Sequence, residues 1–337
     1  MNIKMSIFFF SFLFSFFCCN VSMCTESCDD LLLSLEKNDN AEAIRLINIL
    51  DNYECRNQNG MTPLLLAFHR PWLNTSDRKE IIALLIEKKA NVNAVVANVA
   101  SVLDDMKGET PLMVASSLGM EDIVKLLLSH GADINAQTDY GKSAVMLAAE
   151  IGKGNATIVK LLIDRGCNLK IRTKTGENIL LAAIKGSSGE KLETVKILID
   201  KGVDVNCKND MGETSLQWAA FYGHYVTVKL LIENGAAIND ADNKGKTCLM
   251  WASGGPDPNA NIVKLLIENK SDLDQKDKLG KTAYFYALED CNTEIAQILA
   301  DAGADTIPHN RICKNILKKA KKEGCLPKVQ NNADSKS

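Results

Sequence analysis

The sequence predicts an all-α solenoid of about eight helix pairs with β-turn fingers, preceded by a separate apolar leader. Three observations predict it. A short glycine-led motif recurs seven times, an apolar second signature follows each copy, and no stretch outside the repeats reaches the size of a further folded domain. The turn glycines Gly60, Gly108, Gly141, Gly176, Gly212, Gly245 and Gly280 are spaced by 48, 33, 35, 36, 33 and 35 residues. The 337 residues are 46% hydrophobic and 24% charged, which excludes disorder as the main state. A net charge of −3 leaves no global electrostatic case for nucleic acid.

The leader comes first in order. Seven of the 10 phenylalanines lie before Cys18, and Lys4 is the only charged side chain before Glu26. Ile7 to Cys19 is nearly all apolar, and as a helix would span roughly 20 Å, short of the roughly 30 Å hydrocarbon core. A basic start, a short apolar run and a small polar stretch form the layout of a secretory signal over residues 1–24. Ser22-Met23-Cys24 is the best cleavage triplet, so the mature chain is expected to be exported, to the periplasm or outside the cell. An uncleaved anchor and a lipid on one of Cys18, Cys19, Cys24 or Cys28 are the alternatives. Only Cys28 follows a small residue, Ser27, and the Thr25-Glu26 before it does not suit lipidation.

The repeats carry their own physical reasons. Gly60-Met61-Thr62-Pro63-Leu64, Gly108-Glu109-Thr110-Pro111-Leu112 and Gly212-Glu213-Thr214-Ser215-Leu216 show the motif, with Ser143 and Asn178 in place of threonine in two other copies. The glycine suits a turn with positive φ. The threonine, serine or asparagine caps a first helix, and Pro63 and Pro111 sit where a missing N–H costs nothing. The run Ile123-Val124-Lys125-Leu126-Leu127-Leu128 predicts a second helix with most of its faces buried. Gly131, Gly166, Gly202, Gly235 and Gly303 end these helices in the left-handed conformation, while Lys89 and Lys270 predict weaker caps.

Over roughly residues 29–306 these motifs resemble the ankyrin repeat. The resemblance implies a β-turn and two antiparallel helices per repeat, stacked side by side. Residues 29–55 read as a degenerate N-terminal capping repeat, 56–306 as seven repeats, 307–327 as a basic C-terminal capping helix and tail, and 328–337 as a disordered tail. Extra residues fall in turns: around Arg70–Asn74, in a long finger over Val95–Asp105, and near Lys153-Gly154, Ser187–Gly189 and Pro256–Pro258. In the capping helix, Ile312, Ile316, Leu317 and Ala320 are the expected inner positions. Arg311, Lys314, Lys318, Lys319, Lys321 and Lys322 make an outer basic face that an anionic membrane would contact only weakly.

The search for chemistry leaves no catalytic constellation. Gly141-Lys142-Ser143, Gly245-Lys246-Thr247 and Gly280-Lys281-Thr282 look like phosphate loops but lack the earlier glycine, with Ala136, Asp240 and Gln275 standing there. His69, His130, His224 and His309 have no metal-ligand spacing. The histidine usual after Thr-Pro-Leu in the family is replaced throughout, by Leu65, Met113, Met146, Leu181, Gln217, Met250 and Phe285, which predicts the loss of a polar contact and more weight on apolar packing. Cys55 and Cys207 share one repeat position and read as small core fillers, and Cys291 replaces a turn glycine. Cys313 and Cys325 are a candidate pair in an oxidising compartment. No enzyme, metal or cofactor is expected.

What remains is a surface. The resemblance implies binding through the finger tips and the inner face of the first helices, in one repeat Asp210, Met211, Glu213, Phe221 and Tyr222. The sixth residue after each turn glycine forms the column Leu66, Val114, Leu147, Ala182, Trp218, Trp251 and Tyr286, aromatic only in its last three members. Trp218, Phe221, Tyr222, Trp251 and Tyr286 are therefore the expected protein-binding residues, with packing between repeats as the competing role of the column. The function expected is a non-catalytic, monomeric, exported scaffold for a protein partner. The alternatives are a secreted effector that binds a host protein and a membrane-tethered lipoprotein adaptor.

Overall fold

The computed structural model describes residues 26–69, 75–97, 107–150, 155–186, 189–255 and 258–327. The expected signal peptide, the tail over 328–337, the Arg70–Asn74 insertion, the long finger beyond Ala97, and the insertions at Lys153-Gly154, Ser187 and Pro256 lie outside them. Among the described residues every regular element is a helix, and β pairing is limited to isolated bridges such as Lys208–Thr214 and Ala241–Thr247.

The chain divides into two compact units, 1–102 and 103–337. The first holds α1 (Cys28–Lys37), α2 (Asn40–Ile49), α3 (Pro63–Phe68) and α4 (Thr75–Glu87). Here α1 packs on α3 and α2 on α4, around Leu35, Ile47, Leu65, Phe68, Ile82 and Leu85.

The second unit is a run of six helix pairs and a closing helix. The pairs are α5 (Pro111–Ser117) with α6 (Glu121–Ser129), α7 (Ala144–Glu150) with α8 (Ala156–Asp164), and α9 (Ile179–Lys185) with α10 (Leu192–Asp200). They continue as α11 (Ser215–Phe221) with α12 (Tyr225–Glu233), α13 (Cys248–Ser253) with α14 (Ala260–Glu268), and α15 (Ala283–Glu289) with α16 (Thr293–Asp301). First helices stack on first helices and second on second, and α17 (Arg311–Glu323) covers α15. A helix held front and back by like neighbours can be apolar nearly all round. Ala144 to Ala149 in α7 and Ala283 to Leu288 in α15 are all buried.

The second helices depart from expectation. Burial is confined to a stripe such as Ile123, Val124 and Leu127, with Leu126 and Leu128 only half-buried. The inner ones, α8, α10, α12 and α14, each pack on their own partner and two like neighbours, and the remaining side is left to solvent. In α17, Cys313 is buried beside Ile316 and Ala320, while Ile312, an expected inner residue, is 40% exposed.

Caps follow the motif with two exceptions. The side chains of Thr62, Thr110, Asn178, Thr214 and Thr247 each accept the N–H three residues on. Ser143 Oγ and Thr282 Oγ1 are buried without a partner, so the cap expected of them is missing. Lys89 and Lys270 take the left-handed caps at φ 68° and 65° despite their side chains. The loss of polar contact expected from the missing histidine is offset at Gln217, whose Nε2 donates to the carbonyls of Asp240 and Lys246 in the next repeat at 3.2 and 2.9 Å.

The cysteine expectations need correction. Cys28 is bonded to Cys55, and Cys291 to Cys325, closing loops of 27 and 34 residues. Cys313, expected to pair with Cys325, is instead a buried free thiol whose Sγ lies 3.5 Å from the Gly280 carbonyl. The helix carries Cys313 inward, under the last finger, while the chain after Gly324 returns Cys325 to the α15–α16 turn.

The fingers set the register between repeats. In the last three, the side chain three residues before the turn glycine accepts two finger N–H groups: Asn209 Oδ1 from Met211 and Glu213, Asp242 Oδ1 from Lys244 and Lys246, Asp277 Oδ1 from Leu279 and Lys281. Between fingers, one backbone bond per step joins neighbours: Asp139 N–H to Lys107 O, Lys174 to Tyr140, Asp210 to Thr175, Asn243 to Met211 and Lys278 to Lys244, all at 2.9–3.0 Å. The turn glycine lies against this contact. A Cβ on Gly212, at φ +74°, would stand 2.6 Å from Asn243 Oδ1 and 2.8 Å from Asn243 N.

Gly212→Val is therefore expected to cost at least about 1–2 kcal/mol, since left-handed strain adds to the clash with the next finger. In a thermal melt this lowers Tm by several degrees. Asp210→Val, at the exposed tip of the same finger, leaves Tm within about a degree, since exposed substitutions stay within roughly 0.5 kcal/mol. Equal melting temperatures for the two variants would contradict the assigned register.

Candidate functional site

The register brings four aromatic residues of the second unit together. Trp218 lies in the last turns of α11 and Trp251 in α13, at equivalent positions of successive repeats, and their ring centres are 5.1 Å apart. Phe221 stands edge-on to both, at 5.5 Å from Trp218 and 5.3 Å from Trp251. Tyr222 lies 5.5 Å from Trp218 and 5.4 Å from Phe221, and His224 extends the group 5.7 Å beyond Tyr222. Trp218, Phe221, Tyr222 and Trp251 are half-buried, each ring resting on its neighbours. Tyr286 continues the column but is only 6% exposed.

Polar tips hold these rings in place. Trp218 Nε1 donates to Glu213 Oε2 at 3.0 Å, Trp251 Nε1 to Asp242 Oδ2 at 3.3 Å, and Tyr286 Oη to Asp277 Oδ2 at 2.7 Å. Asp242 and Asp277 are the same carboxylates whose other oxygens tie the finger turns, so a finger and the ring below it are set by one side chain. Sequence reasoning missed both. The available signal was the recurrence of Asn, Asp or Thr three residues before the turn glycine: Asn57, Thr138, Thr173, Asn209, Asp242 and Asp277.

Cations line the same face. Lys185 Nζ lies 4.6 Å from the Trp218 ring centre, Lys281 Nζ 4.0 Å from Tyr286, and Lys246 Nζ 4.5 Å from Tyr286. Burial, then the hydrogen bond to Asp277, holds the Tyr286 phenol far above the usual range. Burial, then neighbouring Lys281, lowers the pKa of Lys246.

The arrangement offers binding groups and no nucleophile. Among the described residues the free thiols Cys167, Cys207, Cys248 and Cys313 are buried, and burial raises all four, Cys167 to about 11. Among the described residues no cluster of His, Cys, Asp and Glu could hold a metal ion, and no helix is long and apolar enough to cross a membrane. Half-buried aromatic rings with anchored tips lose little side-chain entropy on being covered, and this is the composition that carries most binding energy at protein interfaces.

Comparison with known proteins bears on the repeats. The model for ankyrin repeats (3 copies) matches residues 31–138, 145–242, 184–277 and 234–310. Ankyrin repeat domain-containing protein 63 of Mus musculus is 36% identical over 101 residues, covering 30% of this chain and 23% of that protein. The putative E3 ubiquitin-protein ligase XBAT34 of Arabidopsis thaliana is 32% identical over 132 residues, covering 39% of this chain and 32% of that protein. The chain thus spans about a quarter to a third of the length of these relatives. Among solved structures, a chain in the complex of the predatory endopeptidase Bd0816 from Bdellovibrio bacteriovorus with immunity protein Bd3460 is similar, at 29% identity and a TM-score of 0.51. That match covers 58% of this chain and 99% of the other.

Glu109, which follows the turn glycine of the α5 repeat, gives a measurable electrostatic signature. Burial raises its carboxyl from the ordinary 4.5 to about 7, with Lys142 opposing. A folded-state pKa above the unfolded one means that the folded state holds the proton more tightly. This contribution to stability is complete below about pH 4.5 and is lost as the pH rises through 7. Glu109→Gln is expected to raise Tm relative to the parent protein at pH 8 and to change it little at pH 4. A Tm difference independent of pH would contradict this.

Proposed function

The chain belongs to the ankyrin-repeat family, and from that premise we propose a non-catalytic, exported scaffold that grips a protein partner with the aromatic face of α11 and α13. Its repeats make it a protein–protein interaction scaffold. The observation that carries the finer reading is the contiguous set Trp218, Phe221, Tyr222 and Trp251, half-buried in a chain with 3 tryptophans and 6 tyrosines. Tyr286, buried beneath Lys246 and Lys281, is the floor of this site.

Two observations support export. The leader has the layout of a secretory signal. The Cys28–Cys55 and Cys291–Cys325 bonds belong to an oxidising compartment, since cytosolic thiols are kept reduced. The likeness to a chain of the endopeptidase–immunity protein complex favours an exported enzyme, of the peptidase kind, as the protein held.

The test is capture from the exported fraction of the native host, with the mature chain as bait. Phe221→Ala and Tyr222→Ala should each weaken retention of the specific partner by about 2 kcal/mol, roughly thirtyfold, with Tm unchanged in Tyr222→Ala. Phe221→Ala, Trp218→Ala and Trp251→Ala should lower Tm as well, because those rings also pack between repeats. Undiminished capture by the Phe221 and Tyr222 variants would refute the site.

A further inference from the structure

Lys246 breaks a pattern. In three repeats of the second unit the residue after the turn glycine forms an ion pair with the residue eight positions on. Lys142 reaches Glu150 at 2.8 Å, Glu177 pairs with Lys185, and Lys281 reaches Glu289 at 2.6 Å. In the aromatic repeats this internal pairing is gone. Phe221 stands eight residues after Glu213, and Glu213 turns instead to Trp218 Nε1 and Asn209 Nδ2. Eight residues after Lys246 stands Gly254, with no side chain to offer.

The ammonium of Lys246 thus lies over rings, 4.5 Å from the centre of Tyr286 and 5.9 Å from that of Trp251, with no ion pair among the described residues. The charged groups around it are Asp242, Lys244, Asp277, Lys281 and Asp290, whose Oδ2 lies against Gly254. Of the three nearby carboxylates, Asp290 is exposed at the α15–α16 turn and forms no ion pair with Lys246, and the other two are committed elsewhere. Asp242 accepts two finger N–H groups on one oxygen and the Trp251 indole on the other. Asp277 accepts two finger N–H groups and the Tyr286 hydroxyl. Lys281 is spent on Glu289.

A partner that covers Trp218 and Trp251 also covers Lys246. An ammonium taken out of water without a counter-charge is costly, so such a partner is favoured only if it brings an anion. With Asp242, Asp277 and Asp290 close by, a monoanion suits the place and a dianionic phosphate does not. We infer that the patch recognises an acidic peptide segment of the partner protein: one carboxylate meets Lys246, and an adjacent apolar side chain lies on Trp218, Phe221, Tyr222 and Trp251. The inference rests on the reading of this patch as the partner surface.

A selection of random dodecapeptides displayed on phage against the immobilised full mature chain tests it. The expected binders need Phe221 and Tyr222 and carry Asp or Glu beside an apolar residue. A synthetic copy of one binder, with its acidic residue replaced by the amide, should bind the parent protein at least tenfold more weakly. On Lys246→Met, with an unchanged Tm, that tenfold difference should vanish, as a double-mutant cycle requires of a direct pair. Binders that need Phe221 and Tyr222 but show no acidic enrichment overturn the inference and leave the patch intact. So does an acid-to-amide loss that persists on Lys246→Met. A selection that returns no binder dependent on Phe221 and Tyr222 overturns the patch reading and this inference together.

Discussion

One backbone hydrogen bond per repeat, from the N–H of a finger tip to a carbonyl of the finger before it, is the constraint on which the second unit depends. The bonds from Asp139, Lys174, Asp210, Asn243 and Lys278 recur at 2.9–3.0 Å. They fix how far one repeat is shifted against the next, which helix packing alone sets only loosely: first helices of six or seven residues, buried nearly all round, can slide along apolar neighbours at small cost. A directional bond at the end of each pair cannot. The turn glycine is required because its missing Cβ is the space in which the next finger sits, as the 2.6 Å approach of Asn243 Oδ1 at Gly212 shows.

The aromatic patch is a consequence of that register. Trp218 and Trp251 are 33 residues apart in the chain and 5.1 Å apart as rings because equivalent positions are stacked directly. Asp242 and Asp277 couple the two levels, one oxygen to the finger and one to a ring tip. The polar groups of the patch are therefore consumed in building it, and Lys246 stands out by being left over. The disulfides act at a different place: Cys28–Cys55 closes the first unit near its start, and Cys291–Cys325 ties the chain after α17 to the last helix pair.

Much of this was legible in the sequence, for a physical reason. A turn glycine, a capping threonine and an apolar helix are local requirements, and repetition in phase makes each copy evidence for the others. The positive φ of Gly60, Gly141, Gly212 and Gly280, and the strained caps at Lys89 and Lys270, follow from residue type alone. What failed to show was set by contacts across repeats. Ser143 and Thr282 have a capping residue's chemistry, but their hydroxyls find no N–H. Cys313 and Cys325 are close in sequence, yet one faces inward on α17 and the other comes after its end. Asp242 and Asp277 looked like ordinary loop acids because their second role, on an indole and a phenol, needs the ring nine residues on to fold back beneath them. The aromatic residues were visible as a column, but which of them stay accessible is decided by packing: Trp218 and Trp251 are half-buried and Tyr286 is buried.

Residue-resolved amide hydrogen exchange on the native protein tests the central claim most directly. If the finger ladder sets the register, the amides of Lys174, Asp210, Asn243 and Lys278 are slow, with protection comparable to the first helices beside them, although all lie in turns at the surface. Exchange of these four amides at the rate of open loops, while the helices stay protected, would show that the fingers do not lock. The account of how the patch is assembled would then be wrong.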